Sequence, residues 1–431
     1  MKKRSGYLVI IALCCITVGI RAQSIADTLV VTPPEAEVVF LQRNLRLLAA
    51  KLDIEVAKAE VIQSKLWPNP TVSIGEVNLW SNQGAEALGR LFGNWGNHAQ
   101  VAVDVEQLIQ TAGKRKKLVA VEETGIALAE RSFEDLLRSL QVEFRTQLAE
   151  LNRTQQGMAA YRQALERLQQ LLTGYQRQVA QGNISRSEYM RLRASELELM
   201  KTIDDYRRQN GEAQQALKVL MGLPSADDRV LIATGFPEIP FDTLKALNAA
   251  TIQEWTYAYN TELAALRLGV TRADQQLRFE RAQRVPDVKL SAGYDRGGNI
   301  MRDFVGLGIA VDLPLFHRNQ GAIKAAQLAL EQSRLLATNA ENQVVGEAVR
   351  AWKDLQATVA RRNLVGPQYE ADMEALLEGY HRNFAQRHIS LLEYLDFLDA
   401  YLQTKDNLLD IEKTLREQYE TLRYHVGSQL P

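Results

Sequence analysis

The sequence has almost no cysteine, and both of its cysteines lie in the first apolar segment. The 431-residue chain contains Cys14 and Cys15 only. If the chain is cleaved near Ala22, no cysteine remains, which excludes disulfides, thiolate metal sites and a cysteine nucleophile. Histidine is also scarce: there are five, and none has the spacing of a zinc-binding motif. A chain cleaved there would therefore have neither thiolate ligands nor a zinc-binding histidine motif.

An excess of charge of one sign is missing as well. The 51 Lys and Arg residues balance 52 Asp and Glu residues, giving a formal net charge of -1. This balance excludes a strongly basic nucleic-acid binder, so we expect no nucleic-acid partner. The sequence has no GxSxG motif, no phosphate-binding loop and no GxGxxG motif. We therefore predict no cofactor, no metal site and no enzymatic activity.

Long apolar runs are confined to the N-terminus. Lys2, Lys3 and Arg4 precede an apolar stretch over 7–20, and Ala22 is suited to cleavage. This order predicts a secretory signal peptide over 1–22. Two alternatives stay open: a retained anchor helix, and a lipoprotein acylated on a cysteine, although Leu13 before Cys14 is bulkier than such cleavage prefers. After this segment no window of 18 apolar residues occurs, so no transmembrane helix is expected.

The chain repeats itself. The segment from Val103 reads VDVEQLIQTAGKRKK and recurs from Val311 as VDLPLFHRNQGAIKA, while YQRQVAQGNISRSEY from Tyr175 recurs from Tyr380 as YHRNFAQRHISLLEY. The offsets, 208 and 205 residues, are nearly equal. We predict a first structural repeat over 23–222, a linker over 223–246 and a second repeat over 247–431.

Each repeat has the same predicted order of elements, beginning with a helical run over 36–66 or 248–284. Alternation of apolar and polar residues predicts strands at about 70–79, 99–107, 287–295 and 303–313. Heptad spacing predicts long helices at about 112–180 and 319–386. The first contains no proline, and the second contains only Pro367, which should kink or briefly break it. Returning helices are predicted at about 187–221 and 390–425.

These elements predict an elongated, mainly α-helical molecule with a membrane tip. The strands are long enough to cross an outer membrane when tilted. Four strands cannot close a barrel, and an open edge in lipid leaves backbone groups unsatisfied. We therefore expect strands from several copies to combine; small soluble hairpins are the alternative.

At this point the chain resembles the TolC family of outer-membrane efflux proteins, and in general plan its CzcC-like and CusC-like branch. The resemblance rests on the duplicated order of elements and on the tips AQGNISRSEY and AQRHISLLEY. It implies a homotrimer in the outer membrane lipid, with a twelve-stranded β-barrel continuous with a periplasmic coiled-coil tunnel.

In function, the resemblance implies the exit duct of a tripartite efflux pump. Such a duct passively conducts metal ions, drugs or other small molecules delivered by an inner-membrane transporter and a periplasmic adaptor. Two alternatives stay open: a channel for type I protein secretion, and a periplasmic coiled-coil scaffold or adhesin.

Site residues follow from the same resemblance. We expect the turns between paired helices to contact the adaptor through Gly182, Ile184, Ser185, Ile389 and Ser390, although ordinary helix-turn chemistry explains these residues too. Ser185 or Ser187, and Ser390, are plausible N-caps, with Glu188 and Glu393 at capping-box spacing. The stretch SLLEYLDFLDA matches a family pattern in which Glu393 and Asp396 line a pore constriction; a solvated helix face is the alternative. Phe384 stands where a gate tyrosine is expected.

Three tryptophans and two aspartates near the predicted strands are also notable. Trp67, Trp80 and Trp95 fit an interfacial aromatic girdle or an ordinary loop anchor. Asp104 and Asp312 face away from the valines, toward a barrel lumen or its rim, and a solvated acid near the strand-to-helix junction explains them as well.

Overall fold

The computed structural model describes residues 28–75, 77, 100–223, 229–232, 239, 247–296, 303–366 and 368–427. The predicted signal peptide, most of the predicted linker, Trp80, Trp95 and Pro367 lie outside these residues. The helices are α1 Pro33–Arg43, α2 Leu45–Lys65, α3 Lys114–Ala180, α4 Arg186–Leu220, α5 Ala249–Tyr259, α6 Thr261–Ala282, α7 Gln320–Leu364, α8 Tyr369–Ala385 and α9 Leu391–Val426. The strands are β1 Thr28–Val31, β2 Thr71–Gly75, β3 Val101–Ile109, β4 Arg229–Ile232, β5 Val288–Arg296 and β6 Asp303–Val311.

The two repeats share one antiparallel sheet. Its order is β2-β3-β5-β6, so the last strand of the first repeat pairs with the first strand of the second. The strands β1 and β4 form a separate parallel pair. In the described part of the chain, β2 and β6 are therefore the two edges of the larger sheet.

Strand register gives this sheet two different faces, because residues paired across an antiparallel ladder lie on the same side. Tyr294 pairs with Val103 and with Val305, which places all three on one face. One face is mainly apolar and includes Val72, Ile74, Val103, Val105, Leu290, Ala292, Tyr294, Val305, Leu307, Ile309 and Val311, with Gln107, Arg296 and Asp303 as polar members. The opposite face is mostly small or polar, with Ser73, Asp104, Glu106, Ser291, Gly293, Gly306 and Gly308, and with Leu108 and Phe304 as large apolar exceptions.

The apolar face is open to its surroundings. Leu307 is 88% exposed, and Val305 and Ile309 on the same strand are also strongly exposed. An exposed apolar patch of this extent marks a surface that contacts lipid or another protein.

The helices form long antiparallel pairs with apolar seams. At 67 residues, α3 extends about 100 Å. Its heptad residues Tyr161, Leu168 and Leu172 pack in one core with residues of α4, α8 and α9, including Leu192, Leu199, Tyr394 and Leu398. A second core surrounds the stacked rings of Phe40 and Phe144, 4.7 Å apart. Among the described residues, no helix is both long enough and apolar enough to span a membrane.

The same joint occurs once in each repeat. Asn44 caps α2, with its Oδ1 accepting the Leu47 N–H at 3.0 Å and its Nδ2 donating to the Leu220 carbonyl at 2.8 Å. Asn260 caps α6, accepting the Leu263 N–H at 2.9 Å and donating to the His425 carbonyl at 2.9 Å. Each asparagine therefore ties the start of one helix to the end of the returning helix.

A glycine completes each joint. Gly222 follows α4 with φ 60°, and Gly427 follows α9 with φ 91°. A Cβ atom at Gly222 would lie 2.4 Å from the Arg43 carbonyl oxygen, and one at Gly427 would lie 2.5 Å from the Tyr259 carbonyl oxygen. Backbone conformation and lack of space therefore both require glycine here. Asn44 with Gly222, and Asn260 with Gly427, are termed the asparagine–glycine joints.

Several predicted elements differ from the structure. The helical runs at 36–66 and 248–284 are each two helices, because Asn44 and Asn260 adopt extended backbone and start a new helix. The predicted linker contains β4, which pairs with β1. The long helix predicted at 319–386 stops at Leu364 and resumes at Tyr369, where a break had been expected near Pro367.

Candidate pore constriction and helical tips

The turn between α3 and α4 closes through a left-handed residue. Gly182 has φ 78° and donates its N–H to the Val179 carbonyl at 3.0 Å. Asn183 donates to the Gln178 carbonyl at 2.9 Å, which completes a Schellman motif. Because a Cβ at Gly182 would meet no atom within 4 Å, the backbone conformation and not space favours glycine.

The turn between α8 and α9 has the same geometry without glycine. Arg387 has φ 61° and donates its N–H to the Phe384 carbonyl at 2.9 Å, and His388 donates to the Asn383 carbonyl at 2.8 Å. Arg387 therefore occupies the position that Gly182 holds in the first repeat. An L-residue in this conformation costs about 1–2 kcal/mol.

Replacing Arg387 by glycine is expected to stabilise the second tip by about 0.5–1 kcal/mol, because glycine removes this strain. Hydrogen exchange at the ends of α8 and α9 measures the change. The control is Arg382→Gly, five residues earlier in an exposed helical position, which should destabilise by about 1 kcal/mol. Faster exchange in Arg387→Gly than in the parent would contradict the prediction.

Serines cap both returning helices. The Ser185 Oγ accepts the Glu188 N–H at 3.2 Å, and the Ser390 Oγ accepts the Glu393 N–H at 3.3 Å. The predicted capping box is complete at Ser390, whose N–H donates to Glu393 Oε2 at 2.7 Å. At Ser185 the contacts described include the bond from the Glu188 N–H to the serine hydroxyl but not the return bond from the Ser185 N–H to the Glu188 carboxylate.

Glu393 thus serves as a cap within its own helix. Its carboxylate is exposed but is turned back to Ser390, and the hydrogen bond from the Ser390 N–H lowers the pKa of Glu393. Asp396, predicted to line a constriction with Glu393, is exposed one turn further along α9. Of the two predicted acids, Asp396 has the carboxylate that is free of the cap.

A third acid continues this row, and it was missed in the sequence. Asp399 follows Asp396 by three residues on α9, as Asp396 follows Glu393. Asp399 is exposed, but packing beside it removes part of its solvation, and this raises its pKa; the charges of Glu198 on α4 and Asp396 raise it further. The packing of α9 against α4 is therefore less stable when Asp399 is ionised. Its stability increases as the pH falls through the raised pKa of Asp399 and the carboxylate becomes protonated. Glu393, Asp396 and Asp399 are termed the acidic row.

Aromatic side chains fill the core of the tips. Phe384 stacks on Tyr394 with 4.9 Å between ring centroids and lies 6.0 Å from Tyr175 on α3. Phe384 is buried, so the position where a gate tyrosine was expected belongs to the core that joins the two helix pairs. Burial raises the pKa of Tyr394 to about 12, so this phenol is neutral at physiological pH.

One carboxylate on α9 joins three helices above the tips. Asp406 accepts the hydroxyl of Tyr161 from α3 at 2.7 Å and that of Tyr206 from α4 at 2.5 Å. Burial and the bond to Asp406 raise the pKa of both tyrosines. Gly157 leaves the space for Tyr206, since a Cβ there would lie 2.5 Å from the ring. Asp406 and the two tyrosines are termed the three-helix clasp.

Of the two aspartates predicted near the sheet, Asp104 lies within a strand, on the face that alternation predicted. Asp104 is on the polar face beside Gly293, whose Cβ would meet the Asp104 carboxylate at 2.3 Å. Asp312 follows β6 and pairs with Lys289 at 3.5 Å. Trp67 is exposed before β2, with the Arg115 guanidinium 4.0 Å from its ring centroid.

Within the described ranges, no three or more His, Cys, Asp or Glu side chains converge in a group that could hold a metal ion. The acidic row is thus a line of separate carboxylates along a helix.

Comparison with known proteins identifies the family. The family described as "Outer membrane efflux protein" matches residues 39–223 and 256–428. The cobalt-zinc-cadmium resistance protein CzcC of Cupriavidus metallidurans is 24% identical over 228 residues, which cover 52% of this chain and 51% of CzcC. The chain thus spans about half the length of that curated relative.

Solved structures share the fold. The structure of CusC aligns with a TM-score of 0.71 at 16% identity and covers 93% of each chain. The CmeC outer membrane channel of Campylobacter jejuni aligns with a TM-score of 0.74 at 14% identity, covering 91% of this chain and 85% of CmeC. These matches confirm the predicted mainly helical fold with a membrane strand portion. The chain belongs to the outer membrane efflux protein family, and it is an outer-membrane protein of the TolC type whose long helices extend into the periplasm.

Proposed function

We propose that this protein is the outer-membrane exit duct of a tripartite efflux pump, and that it conducts solutes passively without catalysing a reaction. The observation that carries the proposal is the sheet with one exposed apolar face and one polar face. An apolar outer face suits lipid, and a polar inner face suits a water-filled path. The strands lead directly into the long helices, so such a path would continue from the membrane into the periplasm.

We infer a homotrimer. The open edges β2 and β6 need partners in lipid, because unpaired backbone groups there cost several kcal/mol each. Exposed apolar residues also form stripes at helical spacing, with Leu45, Leu48, Leu52 and Val56 on α2 and Leu328 and Leu335 on α7. If the stripe on α2 of one copy packs against the stripe on α7 of the next, the copies are arranged head to tail and can close into a ring. Three copies of the four-stranded sheet would supply the twelve strands that the resemblance implies.

For the solute, the proposal is small molecules, with metal cations favoured. CzcC is named for cobalt, zinc and cadmium resistance. The acidic row adds carboxylates on one helix, and rings of carboxylates favour cations in a narrow pore. The energy for export would come from the inner-membrane transporter, and the periplasmic adaptor would connect the two proteins.

The duct is tested by fractionation and reconstitution. The expected result is extraction of a trimer from the outer membrane with detergent, followed by stable conductance in a planar lipid bilayer. Recovery as a soluble periplasmic protein, or a trimer without conductance, overturns the proposal. Deleting the gene and measuring tolerance to zinc, cobalt, cadmium, dyes and antibiotics then identifies the solute.

The acidic row gives a prediction about selectivity. E393Q/D396N is expected to lower the cation-to-anion permeability ratio severalfold, because two charges per protomer leave the pore. Glutamine retains the capping geometry at position 393, so the helix start is preserved. Reversal potentials in a salt gradient measure the ratio. The control, D53N/E60Q, removes two exposed carboxylates from α2 and should leave the ratio unchanged; equal effects of both variants would place the selectivity elsewhere.

Contact with the adaptor is proposed at the tips, through Gly182, Ile184, Ser185, Ile389 and Ser390. G182W is expected to abolish efflux while the trimer persists, because the bulky side chain blocks contact. G182N is the control, since asparagine tolerates the left-handed conformation and adds little bulk. Efflux of a fluorescent dye and chemical cross-linking to the adaptor are the measurements. Full efflux in G182W would show that the tip contacts no partner.

A further inference from the structure

The four connections between helices and sheet lie together at one end of the sheet. Register places Ile109, Val288 and Val311 side by side, and each is next to a connection. The fourth connection leads from α2 into β2, whose first residue pairs with Glu106 of β3. Residues 65–70, 110–117, 281–287 and 312–319 are termed the junction belt.

The junction belt is strongly basic, unlike the chain as a whole. It contains eight Lys or Arg residues against two Asp residues. The basic residues are Lys65, Lys114, Arg115, Lys116, Lys117, Arg281, Arg284 and Arg318. Both aspartates are already bound, Asp287 to Lys114 at 2.8 Å and Asp312 to Lys289 at 3.5 Å. Of the other basic residues, Lys65 pairs with Glu123 outside the belt at 3.6 Å. The apolar face of the sheet directly beside the belt carries no charge.

Exposed apolar side chains lie among these cations. Phe316 is 92% exposed, and Leu313, Leu315 and Trp67 are also exposed. At Trp67 the two kinds of side chain touch, because the Arg115 guanidinium lies 4.0 Å from the indole centroid. Aromatic rings and long basic side chains together are typical of the headgroup level of a membrane, where one end is in hydrocarbon and the other in water.

The position of four of the cations is unfavourable for the isolated chain. Residues 114–117 form the first turn of α3, which contains no acid. The positive end of the helix dipole repels cations there. Lys114 is neutralised by Asp287 and Lys117 donates to the Ala112 carbonyl at 2.6 Å, whereas Lys116 is exposed. An anionic partner would offset this repulsion.

We propose that the junction belt binds the anionic headgroups of phospholipids in the periplasmic leaflet of the outer membrane. The proposal rests on the proposed function, because it needs the sheet in the membrane and the helices in the periplasm. The apolar face of the sheet contacts the acyl chains, Trp67 and Phe316 lie at the boundary, and the exposed basic side chains, among them Lys116, Arg284 and Arg318, reach the phosphates. The belt thereby fixes the depth of the protein in the bilayer.

The test is lipid retention by the purified trimer in an uncharged detergent, measured by native mass spectrometry. Phosphatidylglycerol is the anionic probe and phosphatidylcholine the zwitterionic one. The expected result is a preference for phosphatidylglycerol that falls roughly tenfold in K116Q/R284Q/R318Q, whose three residues are exposed. The control R191Q/K201Q/R382Q removes the same charge from exposed positions on the tip helices and should keep the preference.

Three outcomes overturn the proposal. The first is an equal effect of the belt variant and the tip variant. The second is displacement of phosphatidylglycerol by inorganic phosphate at equal concentration, which would indicate a site for the free anion. The third is a trimer that dissociates in F316S with lipid preference intact, which would make Phe316 a contact between protomers. Failure of the proposed function is distinguishable from these, since it appears as a soluble periplasmic protein or as a trimer without conductance.

Discussion

Replacing Asp287 by alanine is expected to destabilise the folded chain by about 3–5 kcal/mol, because it leaves a buried cation without its partner. The Lys114 side chain is 4% exposed, and its Nζ lies 2.8 Å from Asp287 Oδ1. The same oxygen accepts the Thr111 N–H at 2.8 Å. One substitution therefore deprives a buried ammonium group and a backbone amide of their acceptor. The broken ion pair joins the start of α3 in the first repeat to the start of β5 in the second, so both repeats are destabilised.

The chain offers a matched control for this experiment. Asp312 is 85% exposed and pairs with Lys289 at 3.5 Å, so Asp312→Ala should cost no more than about 1 kcal/mol. Thermal unfolding followed by far-UV circular dichroism compares the two. Adding Lys114→Met to Asp287→Ala should recover much of the loss, because no buried charge remains. Equal destabilisation by Asp287→Ala and Asp312→Ala would refute the role of the buried pair.

Alanine at Gly222 or Gly427 is expected to destabilise the chain by about 3 kcal/mol. Positive φ costs an L-residue about 1–2 kcal/mol, and overpacking adds about 1–3 kcal/mol. The obstacle is the backbone carbonyl of Arg43 in one joint and of Tyr259 in the other, which cannot move aside like a flexible side chain. Any movement of the Arg43 or Tyr259 carbonyl would also disturb the asparagine that follows it, Asn44 or Asn260.

Gly174 serves as the control for both glycine variants. It lies inside α3, and a Cβ there would meet no atom within 4 Å. Gly174→Ala should therefore stabilise the helix by about 1 kcal/mol. The measurement is the midpoint of chemical unfolding together with the yield of folded trimer. If both alanine variants lower the free energy of unfolding by less than about 1 kcal/mol, the backbone at the joints relaxes around the added Cβ and the prediction is wrong.

Periodicity predicted the regular elements well, because each one has an apolar stripe or alternation that is local in sequence. The strand β3 and the seam residues Tyr161, Leu168 and Leu172 are examples. The division of the first helical run at Asn44 was missed, since no proline or glycine marks it. Asn44 caps the new helix and also donates to the carbonyl of Leu220, which lies 176 residues away. Local patterns cannot show a capping residue whose second partner is so distant.

The candidate site was predictable to the same extent. The tip turns and their serine caps follow from short motifs, and Ser390 forms the capping box that its spacing with Glu393 indicates. Asp399 continues the same spacing and could have been found from it. Asp406 could not, because Tyr161 and Tyr206 become its partners only when three helices pack together.

The three-helix clasp also imposes an order in time on the synthesis of this protein. Tyr161 precedes Asp406 by 245 residues, and Tyr206 precedes it by 200. At roughly 5–20 residues per second, the ribosome needs on the order of 10–50 seconds to add the intervening chain. Throughout that interval the hairpin of α3 and α4 lacks the helix that covers its tyrosines. The α3–α4 hairpin is therefore synthesised long before the helix that joins its two tyrosines, and the three-helix clasp can form only after nearly the whole chain has been made.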